Sequence, residues 1–499
     1  MAAKGPGAVA ERDGLLHRVA HGVKWSFLSR LVVRSSGFVS SLVFARMLSP
    51  DHFGLIAFSL TVLSFTDLLG QFGFKQYIIQ KSGRTEALLG TAWVIEIAKG
   101  LISCLALLVF AGPISTIFSS PDAAAVLRLM ALIPVLKSLQ NIRALYFIRN
   151  IEMRNFVLIE STPPLVLFVI GAPLAVVLPS VWTVAGAYLL AHGVQLAVSY
   201  LLCGAPPRLR FSFKRARMML SFGISVMLGG ITIYPGLYGG VWLAAFLLGG
   251  HEVGLYSLVF SLCHLAVSEL AKPINGVLFP AYARVREDRD AVRRFAVMAY
   301  EVVLAVILPL TVGVGLVAGD FIPLALGEKW LSALPLFPLM AAAAAMRCLS
   351  TAGAGLFPGL GHPEAALKTG LFTSGGFVLA IVLLYARAGA AFSLEDIVLA
   401  VLSANLTQYL AWAYYACVLL GMPYWRLLGP VLRVGFCVLL MAAVFSLAYV
   451  FLPPGLWRLA GGILAGGLGY VAGLFLLRMA GHGALFLLLR EFRAIVRPA

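Results

Sequence analysis

Apolar residues fall along this chain in blocks of about 18 or more, the length a helix needs to cross a bilayer, and short polar breaks separate them. The blocks predict spans near 25–48, 53–74, 88–111, 123–142, 156–178, 181–202, 218–248, 253–281, 295–318, 331–356, 366–386, 394–420, 434–451 and 459–477, fourteen in all. The connecting segments are too short to fold as extramembrane domains. Every functional residue therefore lies in a helix or a tight loop.

Composition agrees with this pattern. With 61% hydrophobic residues, 12% charged residues and a mean hydropathy of +0.95, the chain is a polytopic membrane protein rather than a soluble globule. Its formal charge of +17 does not mark a nucleic-acid binder, because no basic stripe lies on a soluble domain. The basic residues instead report topology. With a cytoplasmic N-terminus and alternating spans, 27 of the 38 Lys and Arg fall in cytoplasmic segments, four on the opposite side and seven within spans. Both termini are thus expected in the cytoplasm. The first 24 residues are polar and basic and lack a cleavable signal; Gly14 to Arg34 reads as an interfacial amphipathic lead-in. The six cysteines are scattered and predict neither a disulfide framework nor a metal site.

An internal repeat links Leu48 to Leu60 (LSPDHFGLIAFSL) with Leu248 to Phe260 (LGGHEVGLYSLVF). Each stretch joins two long spans through a tight turn, and six spans separate the copies, which suggests a parallel repeat. The expected organisation is an amphipathic N-terminus (1–24), an N-lobe of six helices (25–202), a basic linker (203–217), a C-lobe of six helices (218–420), two further helices (421–479) and an amphipathic tail (480–499). Two facing lobes with a site at their interface form the plan of a transporter.

The candidate chemistry is ionic. Arg30 and Arg34 stand one helical turn apart in the first span, where each would cost about 2.5 to 3.5 kcal/mol at mid-bilayer. Arg30 can snorkel to the inner interface. Arg34 is deeper and has no acid within a turn, so an anion is its natural partner, the alternative being Asp67 or another acid from a neighbouring helix. With Lys272, these arginines suit a diphosphate, whose oxygens an Arg fork grips in pairs. The other intramembrane bases are Lys99, Arg128, Lys137 and Arg347. Asp67, Glu96, Glu269 and Glu301 are candidates for ion coupling, although Glu96 with Lys99 and Glu269 with Lys272 are also spaced to neutralise one another along one helix face. Pro235 and Gly236, within a Gly-rich seventh span, suggest either a hinge or close helix packing. The eight histidines do not cluster, and no nucleotide loop or catalytic set is present, so neither a metal, a cofactor nor catalysis is expected.

Several stretches resemble one family. Phe44 to Gln80 (FARMLSPDHFGLIAFSLTVLSFTDLLGQFGFKQYIIQ), Arg149 to Phe156 (RNIEMRNF), His251 to Ser257 (HEVGLYS), Phe279 to Val285 (FPAYARV) and Leu326 to Trp330 (LGEKW) are similar to the Wzx-type polysaccharide and O-antigen flippases. These form the polysaccharide transporter family of the multidrug/oligosaccharidyl-lipid/polysaccharide superfamily, and the branch that includes the colanic acid flippase is the most similar. The chain departs from that family where an Asp in span seven and an Ile-Gly-Arg are common, for Gly239 to Gly249 here reads GGVWLAAFLLG.

The resemblance implies an all-α fold of two six-helix lobes, as in the multidrug exporters and the MurJ-type flippases of the superfamily, plus two C-terminal helices. It implies a flippase of the bacterial inner membrane that moves an undecaprenyl-diphosphate-linked oligosaccharide from the cytoplasmic to the periplasmic leaflet by alternating access, for exopolysaccharide or lipopolysaccharide synthesis. A polysaccharide polymerase and a chain-length regulator are the implied protein partners. The competing readings are a drug, cation or small-metabolite exporter of the same superfamily and, from a different class, a membrane glycosyltransferase or polymerase. The excess of interior bases opposes a cation exporter, and the absence of a large outer loop opposes the enzyme.

Overall fold

A computed structural model describes residues 33, 35–69, 86–116, 122–150, 152–285, 288–351 and 353–479, and among them the chain is helical throughout, without a strand. It divides into two compact units, Met1–Ile231 and Thr232–Ala499. Among the described residues ten helices are long and apolar enough to cross a membrane.

In the first unit a helical segment 35–47 leads into α1 (Pro50–Leu69). The start of α1 is written in the sequence. Ser49 accepts from the His52 N–H at 3.3 Å as an N-cap, Pro50 stands where no N–H is needed, and Asp51 meets the positive end of the helix dipole. After α2 (Glu86–Ser115) come three short helices, α3 (Ala123–Met130), α4 (Ile133–Ser138) and α5 (Ala144–Arg149). The stretch expected as one span over 123–142 is thus broken. Pro134 has no N–H to offer the Met130 carbonyl, so the α3 ladder stops and α4 starts afresh with Pro134 in its first turn. α6 (Met153–Val166) carries Pro163 and Pro164 and widens into a π-turn at Leu167–Gly171 before α7 (Ala172–Val177). α8 (Val181–Cys203) is capped by Ser180 and ends at Gly204, whose φ of +68° a side chain would resist. Gly100 brings α2 against α4 so closely that a Cβ there would sit 2.3 Å from Ser138 Oγ.

The boundary between the units falls within α9 (Phe213–Leu247). α9 begins inside the basic segment expected as a linker and runs helically through Pro235. In the second unit follow α10 (Gly250–Val285), α11 (Arg289–Phe321), a π-turn (Ile322–Leu326), a 3-10 turn (Glu328–Ala333), α12 (Leu336–Thr351), α13 (Leu356–Gly359), α14 (Pro363–Ala388), α15 (Leu394–Leu420), α16 (Trp425–Phe451) and α17 (Leu456–Met479). Local signals again set the ends: Asp288 caps α11, Ser393 and Asp396 form a capping box on α15, and Gly421 closes α15 in the left-handed conformation. The core gathers Tyr300 and Trp412, stacked at 5.1 Å, with Phe357 against the Trp412 ring. α17 presents Gly462, Gly466, Gly469 and Gly473 to Phe445, Met441, Val444 and Cys437 of α16, the small-residue contact by which helices associate in lipid. Large apolar side chains such as Leu439 and Val450 point outward, as a surface solvated by hydrocarbon requires.

Candidate functional site

Charge inside a span is costly in hydrocarbon and therefore marks where a bundle handles ions or substrate. In the first unit three helices converge on such charge. Asp67, near the end of α1, forms an ion pair with Lys137 of α4, each side chain about one third exposed at 34% and 37%. α8 adds His192 and Gln195. Gln195 Oε1 accepts from Gln140 Nε2 at 2.8 Å and lies 3.0 Å from His192 Nδ1, and His192 sits in the field of both Lys137 and Asp67. Asp67 therefore has Lys137 as its partner, while Arg30 and Arg34 lie outside the described residues. Farther along α2, Glu96 and Lys99 neutralise each other at 2.6 Å.

In the second unit Glu301 of α11 is buried and gripped by Arg433 of α16, Nε to Oε1 at 3.0 Å and Nη2 to Oε2 at 2.5 Å. This places Arg433 inside a helix that begins nine residues earlier than the span expected at 434–451. Glu269 and Lys272 belong to α10, but their side chains lie outside what the structure describes. Gly236 packs so tightly that a Cβ would meet Thr373 Cγ2 at 2.5 Å, and Gly239 and Gly240 are held as closely by Phe377 and Tyr256. The glycines beside Pro235 thus serve close helix packing.

Among the described residues two of the expected intramembrane cations, Arg128 and Arg347, have no ion-pair partner, and of these only Arg347 is half-buried. Arg347, half-buried near the end of α12, forms no ion pair and donates no hydrogen bond from its guanidinium among the described residues. Tyr238 of α9 and His264 of α10 both lie within its electrostatic reach. His264 is 3% exposed, its Nδ1 lies 3.2 Å from the Phe260 carbonyl, and its Nε2 is buried without a partner. Since Nδ1 must carry the proton to bond that carbonyl, Nε2 of the neutral ring is a bare acceptor. A guanidinium, a phenol and a bare imidazole nitrogen together suit an oxyanion carrying a neighbouring hydroxyl group. No acid lies within a helical turn of Arg347, as with Arg34, but the same holds for Arg128 and Lys137, so the sequence alone does not single Arg347 out.

A family profile described as "Polysaccharide biosynthesis protein" matches residues 43–335, more than half of the chain. The chain belongs to this family. The Wzx-type resemblance read from the motifs is thereby borne out. Among its relatives, the lipopolysaccharide biosynthesis protein WzxC of Escherichia coli is 27% identical over 383 residues, covering 75% of this chain and 77% of WzxC. The succinoglycan biosynthesis transport protein ExoT of Rhizobium meliloti is 26% identical over 328 residues, 65% of each protein. In three dimensions the fold is similar to the lipid II flippase MurJ in an inward closed conformation, with a TM-score of 0.75 and 13% identity over 92% of this chain and 99% of MurJ. An inward-facing multidrug resistance transporter of the MATE family gives a TM-score of 0.61 at 12% identity, covering 79% of this chain and 98% of its own. The all-helical fold expected from the motifs is therefore the fold found.

Proposed function

We propose that this family member is a flippase for a lipid-linked oligosaccharide in the bacterial inner membrane, moving its glycan from the cytoplasmic to the periplasmic leaflet. The observation that carries the reading is Arg347, a half-buried guanidinium in the short apolar helix α12 with no carboxylate partner among the described residues, which a transported oxyanion would complete. The roles of WzxC in lipopolysaccharide and ExoT in succinoglycan biosynthesis support a glycan cargo, and the MurJ-like fold is one that accommodates flipping. Arg347 would hold the diphosphate of an undecaprenyl carrier, and the candidates read from the sequence for the same task are Arg30, Arg34 and Lys272. The glycan crosses between the helices while the prenyl tail stays in lipid, so transport needs no catalytic residue. Moving an anion outward is favoured by an inside-negative potential by about 2.3 kcal/mol per charge per 100 mV. Asp67, Glu96 and Glu301, each paired with a base, would couple an ion only by exchanging that base for it, Glu269 is the fourth candidate carboxylate, and a bend at Pro235 would have to loosen the close packing of Gly236. A polymerase and a chain-length regulator would take up the product, and both termini face the cytoplasm.

The test is the sidedness of lipid-linked oligosaccharide in cells depleted of the protein. Accumulation in the cytoplasmic leaflet is expected. Unchanged sidedness with normal polymer would remove the flippase reading in favour of drug or metabolite export.

A further inference from the structure

A cavity of about 600 Å³ lies between the first turns of α11 and α16. Its walls hold four guanidiniums, Arg293, Arg294, Arg426 and Arg433, against two carboxylates, Asp290 and Glu301. Both carboxylates are already engaged. Asp290 accepts from Arg293 at 3.1 Å, and Glu301 holds Arg433. Arg293 is fixed further by the carbonyls of Leu420 at 2.6 Å and Gly421 at 3.1 Å. Arg294 and Arg426 remain, both exposed at the cavity, and neither guanidinium makes an ion pair or hydrogen bond among the described residues. Asp288 feels the charge of Arg294 but forms no ion pair with it, and its Oδ1 accepts from the N–H groups of Asp290 and Ala291.

The apolar residues say what surrounds this positive cavity. Met422 is buried in its wall, and Trp425 at its rim is 71% exposed. From Trp425 the exposed side chains Leu432, Phe436 and Leu439 follow at helical spacing along one stripe of α16, the stripe that hydrocarbon solvates. Tryptophan favours the boundary between water and hydrocarbon. The cavity therefore opens at that boundary, with guanidiniums on its polar side and an apolar stripe leading into the bilayer.

We infer that this cavity binds the phosphate headgroup of an anionic membrane lipid, with Arg294 and Arg426 on the phosphate oxygens and the glycerol region against Met422 and Trp425. Two guanidiniums on separate helices grip phosphate from two directions, and basic pockets between membrane helices are a known headgroup environment. A soluble anion would leave the Met422 and Trp425 surface unused. A bound lipid would also tie α11 to α16 beside the Glu301 and Arg433 pair.

The experiment uses the full-length protein in phosphatidylcholine nanodiscs containing brominated phosphatidylglycerol, with the quenching of Trp425 read as the difference between wild type and Trp425→Phe. Wild type is expected to reach full quenching at a low phosphatidylglycerol fraction, whereas R294Q/R426Q needs roughly fivefold more or greater. Brominated phosphatidylcholine is expected to quench both proteins alike. The same phosphatidylglycerol dependence in both proteins overturns the inference, as does displacement of the brominated lipid by inorganic phosphate, which would mark a site for soluble anions. Should the double variant fail to fold, the single variants R294Q and R426Q, each expected to shift the dependence by about twofold, decide the matter.

Discussion

Arg433 and Glu301 are 132 positions apart in sequence, yet the guanidinium of one closes on both carboxylate oxygens of the other, at 3.0 and 2.5 Å. Glu301 is only 6% exposed, so the pair braces α11 to α16 in a region of low dielectric. Removing one partner leaves the other charge stranded, which costs more than deleting both. Glu301→Ala is therefore expected to destabilise the protein by about 3 kcal/mol, the low end for a buried pair because Arg433 keeps some access to water. Glu301→Leu combined with Arg433→Met is expected to recover most of that loss. Thermal unfolding in detergent measures both, and a double variant no better than Glu301→Ala would show that the brace is not the source of the effect.

The glycines of α9 give a second test. A Cβ at Gly240 would stand 2.1 Å from Tyr256 Oη and 2.4 Å from Cζ, and the ring is fully buried with no room to swing away. Gly240→Ala is expected to cost roughly 1 to 3 kcal/mol, the range for overpacking a core. Gly375→Ala, where nothing lies within 4 Å of the added carbon, is the control and should be neutral or slightly stabilising. A difference in detergent melting temperature between the two variants is the readout.

In the first unit, the Asp67 and Lys137 pair carries a transport prediction. Both side chains are about one third exposed, so the contribution of the bridge to stability is at most about 1 kcal/mol. Its position beside His192 gives it weight in transport. Asp67→Asn leaves Lys137 as an extra interior cation and is expected to slow glycan export by roughly tenfold while the protein stays folded. Adding Lys137→Gln removes that cation and should restore much of the rate. If the double variant remains as slow as the single one, Asp67 acts through its own proton or ion and not through Lys137.

How far these sites could be read from the chain depends on sequence distance. Helix ends are local, and the signals at Ser49, Pro50 and Asp51, at Ser393 with Asp396 and at Gly421 all operate in the structure. So does the pairing of Glu96 with Lys99, three residues apart. The break at Pro134 was also available, but hydropathy averages over a missing N–H and reports one apolar span. Asp67 with Lys137 and Glu301 with Arg433 could not be read, because nothing within a single sequence says which acid of one helix meets which base of another. Arg347 lies between these cases: its lack of a local acid is visible in the run of alanines before it, but its company of Tyr238 and His264 is supplied by α9 and α10.

Asp288, outside the membrane, sets an acid limit. Its carboxylate accepts from the N–H of Ala291 and that of Asp290, and the nearby Arg294 adds to the effect, so its pKa is held below the usual carboxylate value. Because the folded-state pKa is the lower one, the cap contributes stability above the ordinary carboxylate pKa, near 4, and that contribution is lost as pH falls through the folded value. Melting temperatures measured from neutral pH down to acid are expected to show a smaller acid-dependent drop in Asp288→Asn, which still caps the helix without titrating. An unchanged drop would place the acid sensitivity elsewhere.

Arg347 carries the strongest functional expectation because its charge has no carboxylate partner among the described residues. If the guanidinium served only stability, Arg347→Gln would lower the melting temperature, and any loss of export would follow that loss. If it receives an oxyanion, the same change removes the one full charge of the group it forms with Tyr238 and His264. Arg347→Gln is therefore expected to keep or slightly raise thermal stability while lowering lipid-linked glycan export by about tenfold to a hundredfold, the range of one lost charge-assisted contact. Arg347→Lys should fall between the two, since an ammonium keeps the charge but cannot grip two oxygens in one plane. The measurement is export in cells alongside the melting temperature of the purified variants. A loss of export that tracks a loss of stability would return Arg347 to a structural role, whereas loss of export with a steady melting temperature, graded from Arg through Lys to Gln, assigns it to the cargo.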